Sequence, residues 1–162
     1  MTTRGTTQNL NQFEQNAVRG SSNQQQCFNH KNCVLNNASD SQITSAGDLV
    51  CLVAGGKYNI PTVAEVLATD DASSSIMYGF VRRTLKQNQY TNNDQVSIAF
   101  ETEVMRMEAG EAINCGDRVA YDATQDGVIV KEPVSPTTGI IPCGTAQSDV
   151  ASGELFDVYI KF

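Results

Sequence analysis

The sequence predicts a mainly β protein, a small barrel or sandwich built from two diverged β modules and preceded by an extended N-terminal arm. Three observations carry this. Short apolar runs alternate with clusters of turn residues along most of the chain, the pattern of strands rather than helices. One turn-and-strand signature occurs twice, as Ile43-Thr44-Ser45-Ala46-Gly47-Asp48-Leu49-Val50-Cys51-Leu52 and as Ile113-Asn114-Cys115-Gly116-Asp117-Arg118-Val119-Ala120-Tyr121. The composition also changes near residue 42: Asn and Gln fill 15 of the first 42 positions, with Gln24-Gln25-Gln26 a short homopolymer.

The arm, residues 1–42, has few apolar side chains: Leu10, Phe13, Val18, Phe28, Val34 and Leu35. Such a segment cannot bury enough surface to offset its ordering entropy, so it reads as a disordered tail or, more sharply, as an arm that orders on a partner. At about 3.3 Å per residue it spans on the order of 100 Å when extended. The first module is assigned to residues 43–100. Gly tolerates positive φ and Asp bonds the backbone ahead of it, so Gly47-Asp48 reads as a tight turn launching a strand. Gly55-Gly56-Lys57 reads as the hairpin turn between Asp48–Ala54 and Tyr58–Val66. Asp70 to Ser75 is a loop, Ile76 to Val81 a strand, and Val96-Ser97-Ile98-Ala99-Phe100 closes the module.

The second module is assigned to residues 101–162. Thr102 to Met107 alternates as a strand, and Gly116-Asp117 repeats the launching turn. Arg118 to Asp122 and Val128 to Glu132 form a hairpin about Asp126-Gly127. Pro133, Pro136 and Pro142 are expected to keep any strand there short or at an edge. Val158-Tyr159-Ile160-Lys161-Phe162 is the closing strand, packed in place. The copies match at offsets of 69 (47 to 116), 65 (79 to 144) and 62 (96 to 158), a drift that loop-length changes produce.

Charge and motifs restrict function. The formal charge is −7, with 11 basic and 18 acidic residues. An acidic body disfavours nucleic acid as a partner, because phosphate binding needs a basic face. No apolar run reaches the length of a membrane-spanning helix, and the opening residues form no signal peptide, so the chain is expected to stay in a cytosol without a membrane partner. Five cysteines, an odd number, are read as thiols rather than a disulfide framework.

No nucleophile–base set suggests an enzyme, since the single histidine, His30, lies in the arm. Cys27, His30 and Cys33 offer thiolate and imidazole donors. Their spacing matches no common zinc finger and no fourth ligand is near, so they are read as side chains without metal. No cofactor is expected. Asp70 and Asp71 read as a solvated loop. Arg82 and Arg83 form the one basic cluster of the body. They read as a solvated strand end, or as a contact to an acidic face on a second copy.

The series Gly47-Asp48-Leu49-Val50, Met77-Tyr78-Gly79-Phe80-Val81, Gly116-Asp117-Arg118-Val119 and Gly144-Thr145-Ala146 resembles the small head decoration, or cement, proteins of tailed bacteriophages. The resemblance covers residues 43–162 and consists of turn and strand signatures. It implies a non-enzymatic β protein, made in the host cytoplasm and carried on the outer capsid surface of the virion. It also implies major capsid protein as partner, neighbouring capsid subunits bridged, and a homo-oligomer, trimer ahead of dimer. On that resemblance Arg4, Leu10, Phe13, Val18, Arg19 and Phe28 of the arm would meet the shell. The alternative is a virion-surface module binding carbohydrate or a receptor, with Tyr58, Tyr78, Tyr90 and Tyr121 as an aromatic platform. A hydrolytic β enzyme is a third reading; the ordered motifs of a dUTPase are not found.

Overall fold

The computed structural model describes residues 30–57, 60–72, 76–84, 87–101 and 103–162. These form twelve strands and no helix. They are β1 (His30–Leu35), β2 (Thr44–Ser45), β3 (Leu49–Lys57), β4 (Ile60–Glu65), β5 (Tyr78–Val81) and β6 (Gln89–Tyr90). There follow β7 (Gln95–Ala99), β8 (Val104–Glu108), β9 (Arg118–Asp122), β10 (Val128–Lys131), β11 (Ile140–Ala146) and β12 (Leu155–Ile160). Strands β1-β4-β3-β5-β7 close into a barrel. Strands β10-β9-β11-β12-β8 make a sheet whose outer strands are joined by the bridge Ala109↔Ile129, so it rolls towards the same shape.

The two units are one motif used twice, down to individual hydrogen bonds. In the first Gly-Asp turn, the Gly47 amide donates to the Val81 carbonyl (2.8 Å) and the Val81 amide to the Asp48 carbonyl (2.9 Å). In the second, Gly116 donates to Ala146 (2.9 Å) and Ala146 to Asp117 (3.0 Å). Each Asp carboxylate also accepts from the amide three residues before it, Ser45 at 2.6 Å and Asn114 at 3.0 Å. Gly47 and Gly116 sit at φ 94 and 89, which is why glycine precedes each Asp.

The correspondence extends to the ends of the strands. The Leu35 amide donates to Asp94 and the Asn93 amide to Leu35; Ala109 donates to Glu154 and Gly153 to Ala109. Asn36 donates to Val63 as Gly110 does to Ile129. Beyond each of these the strand lacks a backbone acceptor, and a side chain supplies one. Asn37 Oδ1 takes the Glu65 amide at 2.9 Å, and Glu111 Oε1 takes the Lys131 amide at 2.7 Å. Gly79 and Gly144 are equivalent as well. A Cβ on either would run into the facing strand, at the Ala99 carbonyl in one case and the Tyr159 carbonyl in the other.

Two expectations about the repeat change. His30–Leu35, assigned to the arm, is the barrel's first strand and the counterpart of β8, so the folded body includes residue 30. The closing strands align at an offset of 60, not 62. Val81 pairs with Ile98, and its equivalent Ala146 pairs with Val158, so Ile98 matches Val158 and Val96 matches Phe156.

Three local expectations change too. Gly55-Gly56-Lys57 is not the hairpin turn: β3 runs through Lys57, which pairs with Ile60 after a register shift. The Asp126-Gly127 turn forms as expected, with both residues at positive φ (53 and 75). Pro142 lies inside the seven-residue β11, between β9 and β12, not at an edge. It is tolerated because the ladder shifts register between Pro142 and Gly144, where a missing N–H costs least.

Among the described residues the buried apolar side chains form two clusters. Cys33, Leu35, Val50, Val63, Val81, Tyr90, Val96 and Ile98 fill the barrel. The larger cluster combines the interior of the second unit with outward-facing residues of the first. Among the latter are Leu49, Tyr78, Phe80 and Ala99, lying against Met105, Val119, Tyr121, Ile129, Ile141 and Ile160. The Phe80 ring meets those of Tyr121 and Phe162, each at a centroid distance of 5.8 Å. The outer wall of the first unit is therefore the lid of the second. Polar contacts bind the same seam: the Gly139 amide donates to the Asp70 carbonyl (2.7 Å), and the Thr138 hydroxyl to Asp71 Oδ1 (2.7 Å).

Candidate functional site

The repeat makes the ends of the two units comparable, and they are finished differently. At the end of the barrel where β1 and β4 stop, a polar network closes the interior. The Asn37 side-chain amide donates to Thr44 Oγ1 (2.9 Å), and that hydroxyl donates to Glu65 Oε2 (2.8 Å). Asn92 Oδ1 takes the Asn37 amide at 2.6 Å, and the Asn92 side chain reaches Asp40 at 2.8 Å. Tyr90, a buried residue of β6, shares its hydroxyl proton between the Gln87 (3.0 Å) and Arg82 (3.2 Å) carbonyls. The second unit closes the matching end with the Ile113↔Val150 bridge and a buried Ile113.

The opposite end, the mouth, differs between the units. In the second unit the interior-facing residues there are Tyr121, Ile141 and Ile160, exposed by 2%, 1% and 0% because the first unit covers them. The corresponding residues of the barrel are Leu52, Met77 and Phe100. Strand alternation places Leu52 on the face of Val50 and Met77 on that of Val81, both barrel-core residues. The Leu52 amide donates to the Met77 carbonyl (2.9 Å), so the two are neighbours across the rim. Leu52 is 43% exposed and Met77 51%; Ile76 beside them is 40% exposed, and Phe100 is half-buried against the core. This rim of thioether, aliphatic and aromatic groups is the candidate binding surface. It lies at the end of the barrel where β1 begins, so residues 1–29 join the body there.

Sequence reasoning missed Leu52 and Met77, because strand alternation marks both as core and nothing local says whether a barrel end is covered. The residues it did choose are distributed otherwise. Arg4, Leu10, Phe13, Val18, Arg19, Phe28, Cys27 and Tyr58 lie outside the described residues. Cys33 is fully buried in the barrel core, which removes one donor from the Cys27, His30, Cys33 set. Arg82 is half-buried. Its guanidinium lies 3.7 Å from the buried carboxylate of Glu103, at the crossing between the units. Arg83 is half-buried. Tyr78, Tyr90 and Tyr121 are 6%, 2% and 2% exposed, so they are core residues and not a surface platform.

Several carboxylates of the body serve as turn acceptors and struts. Asp122, itself buried, takes the Thr124 amide and hydroxyl and the Gln125 side chain. Asp94 takes the Thr91 amide and hydroxyl. Arg106 and Asp157 pair across β8 and β12 at 3.0 Å. Two of the thiols, Cys51 and Cys143, are tuned away from reactivity. Burial, and then the nearby Asp70 carboxylate, pushes the Cys51 thiol up; burial, and then Glu132, pushes Cys143 far above its ordinary range. No group of three or more His, Cys, Asp and Glu side chains is placed to hold a metal ion among the described residues.

No family model matches this chain, and no curated protein matches it.

Proposed function

We propose that this protein is a head decoration, or cement, protein of a tailed bacteriophage. On this reading it does no bond chemistry. It binds the outer surface of the mature capsid and braces neighbouring major capsid protein subunits. It acts as a homo-oligomer, a trimer in preference to a dimer. The observation that carries the reading is the open apolar rim of Leu52, Met77 and Phe100 at the end where the Asn/Gln-rich segment 1–29 joins a doubly braced β body.

The physics of bracing supports it. A brace needs a body that does not deform and a grip that adapts. The shared core and the Asp70, Asp71, Thr138 and Gly139 contacts supply the first. A long polar segment with sparse apolar anchors suits the second: it spans a large surface at modest affinity per unit area. Many copies on one lattice then multiply a weak contact. Asp48, Asp117 and Asp122 are engaged in capping turns, which stiffens the body.

Co-sedimentation with undecorated, expanded capsids tests the reading. The full chain should pellet with shells and raise their resistance to heat or chelation. A variant lacking residues 1–29 should remain folded, because β1 is retained, and should no longer pellet. The deletion must stop at 29: removal of 1–42 takes away β1 and opens the barrel. Failure of the full chain to bind any shell would sink the proposal, and full occupancy by the shortened chain would sink the role given to the segment.

A further inference from the structure

We infer that the open mouth of the first barrel receives a sheet wall of the major capsid protein, one that sets an aliphatic and an aromatic side chain on neighbouring strands against Leu52, Met77 and Phe100. The inference rests on the capsid reading and adds to it the kind of surface that is gripped. The internal repeat supplies the template. Leu52 and Met77, neighbours across the rim of the first unit, correspond to the cross-strand pair Tyr121↔Ile141 of the second. Tyr121 and Ile141 are sealed, and the seal is built on one row across three adjacent strands. That row is Leu49 of β3, Phe80 of β5 and Ala99 of β7, which are register partners. Phe80 is its aromatic centre and meets the Tyr121 ring at 5.8 Å. In this motif, then, a mouth is closed by the face of a sheet.

The first mouth is the same mouth without that wall. Leu52 is 43% and Met77 51% exposed, although strand alternation puts both on the interior face. Its side chains suit a cover that comes and goes. Where the second unit has Tyr121 and Ile141 under a permanent lid, the first has Met77, whose unbranched thioether re-packs against more than one shape. A second copy of this chain supplies no such wall. Its first-unit row is already buried inside the molecule. The equivalent row of its second unit is Arg118, Thr145 and Tyr159. Arg118 is exposed and paired with Glu132, and pressing a cation and a hydroxyl onto an apolar rim costs more than it returns. The wall therefore belongs to another protein, which on the capsid reading is the major capsid protein.

Peroxide footprinting tests this on the full chain, free and bound to undecorated, expanded capsids, with each methionine followed by peptide mass spectrometry. Met105 and Met107 are fully buried and report on folding. In the free chain Met77 should oxidise many-fold faster than these two, equally in dilute and concentrated samples. On the capsids its rate should fall several-fold, with Met105 and Met107 unchanged. When Leu52 is replaced by the photocrosslinker p-benzoylphenylalanine, irradiation of the bound chain should join it to an aliphatic or aromatic residue in a strand of the major capsid protein. A chain that pellets with capsids while Met77 keeps its free rate overturns this inference and leaves the capsid reading standing. A chain that pellets with no capsid overturns both. Met77 already slow in the free chain at every dilution would place its cover within the molecule, and Met77 slowed only on concentration would make the cover a second copy. Either result overturns the inference, as does a crosslink to a polar loop.

Discussion

Replacing Phe80 with alanine tests whether the two units share one core. Phe80 belongs to β5 of the barrel, yet it is fully buried among residues of the second unit. Its ring contacts are Tyr121 and Phe162, both at 5.8 Å. Loss of roughly 120 Å² of buried apolar surface at about 25 cal/mol per Å² costs about 3 kcal/mol. Each of the two aromatic contacts adds about 0.5–1.5 kcal/mol and the residual cavity adds further, which puts the loss at the upper end of the usual ~3–5 kcal/mol for Phe→Ala. Against a typical domain stability of about 5–15 kcal/mol this is a large fraction. Urea unfolding gives the total, and native-state amide exchange gives its distribution. Backbone amides at Val50 and Val96 report on the barrel, and those at Val119 and Val158 on the second unit. A shared core requires all four to lose protection by similar free energies. Loss confined to Val50 and Val96, or a total below about 1 kcal/mol where typical core truncations cost more, would refute the description of the first unit as the lid of the second.

Two further outcomes follow from local geometry. Gly116→Ala should cost about 1–2 kcal/mol, the price of an L residue in the left-handed region, because nothing lies within 4 Å of the added Cβ. Gly144→Ala should cost about 3 kcal/mol, since its Cβ meets the Tyr159 backbone and β11 must move off β12; equal losses in urea melts would contradict this. Cys143 sets an alkaline limit. Its folded pKa is raised above the ordinary 9.0 by burial and then by Glu132, so its contribution is complete below pH 9. Above pH 9 the unfolded chain ionises this thiol while the folded protein does not, and stability falls as pH rises. Cys143→Ala should flatten the fall of urea midpoint between pH 9 and 10.5, and an unchanged slope would show that another group is responsible.

Much of the architecture was legible because turn chemistry is local. Gly47-Asp48, Gly116-Asp117 and Asp126-Gly127 announce their own backbone conformations, and the repeat between them follows from reading the chain twice. The misreadings have a common source in pairing between distant residues. Lys31-Asn32-Cys33-Val34-Leu35 becomes a strand because β7, some sixty residues later, offers it a ladder. The two-residue error in aligning β7 with β12 arises because strand alternation has period two. A slip of two leaves every side chain on its proper face, and only the hydrogen-bonded partners reveal it.

What the amino-acid sequence determined by itself is the β class, the doubled motif and the polar composition of the N-terminal segment. Each is written in neighbouring residues: turn formers, alternation, and too little apolar surface. What only the tertiary structure decided is which apolar residues become core and which remain open. Tyr121 and Leu52 occupy the same place in the same motif, yet one is sealed and the other exposed. The difference comes from what lies across the mouth of each unit, a packing event between segments far apart in the chain, and burial of a strand residue is set by that neighbour and not by its own identity.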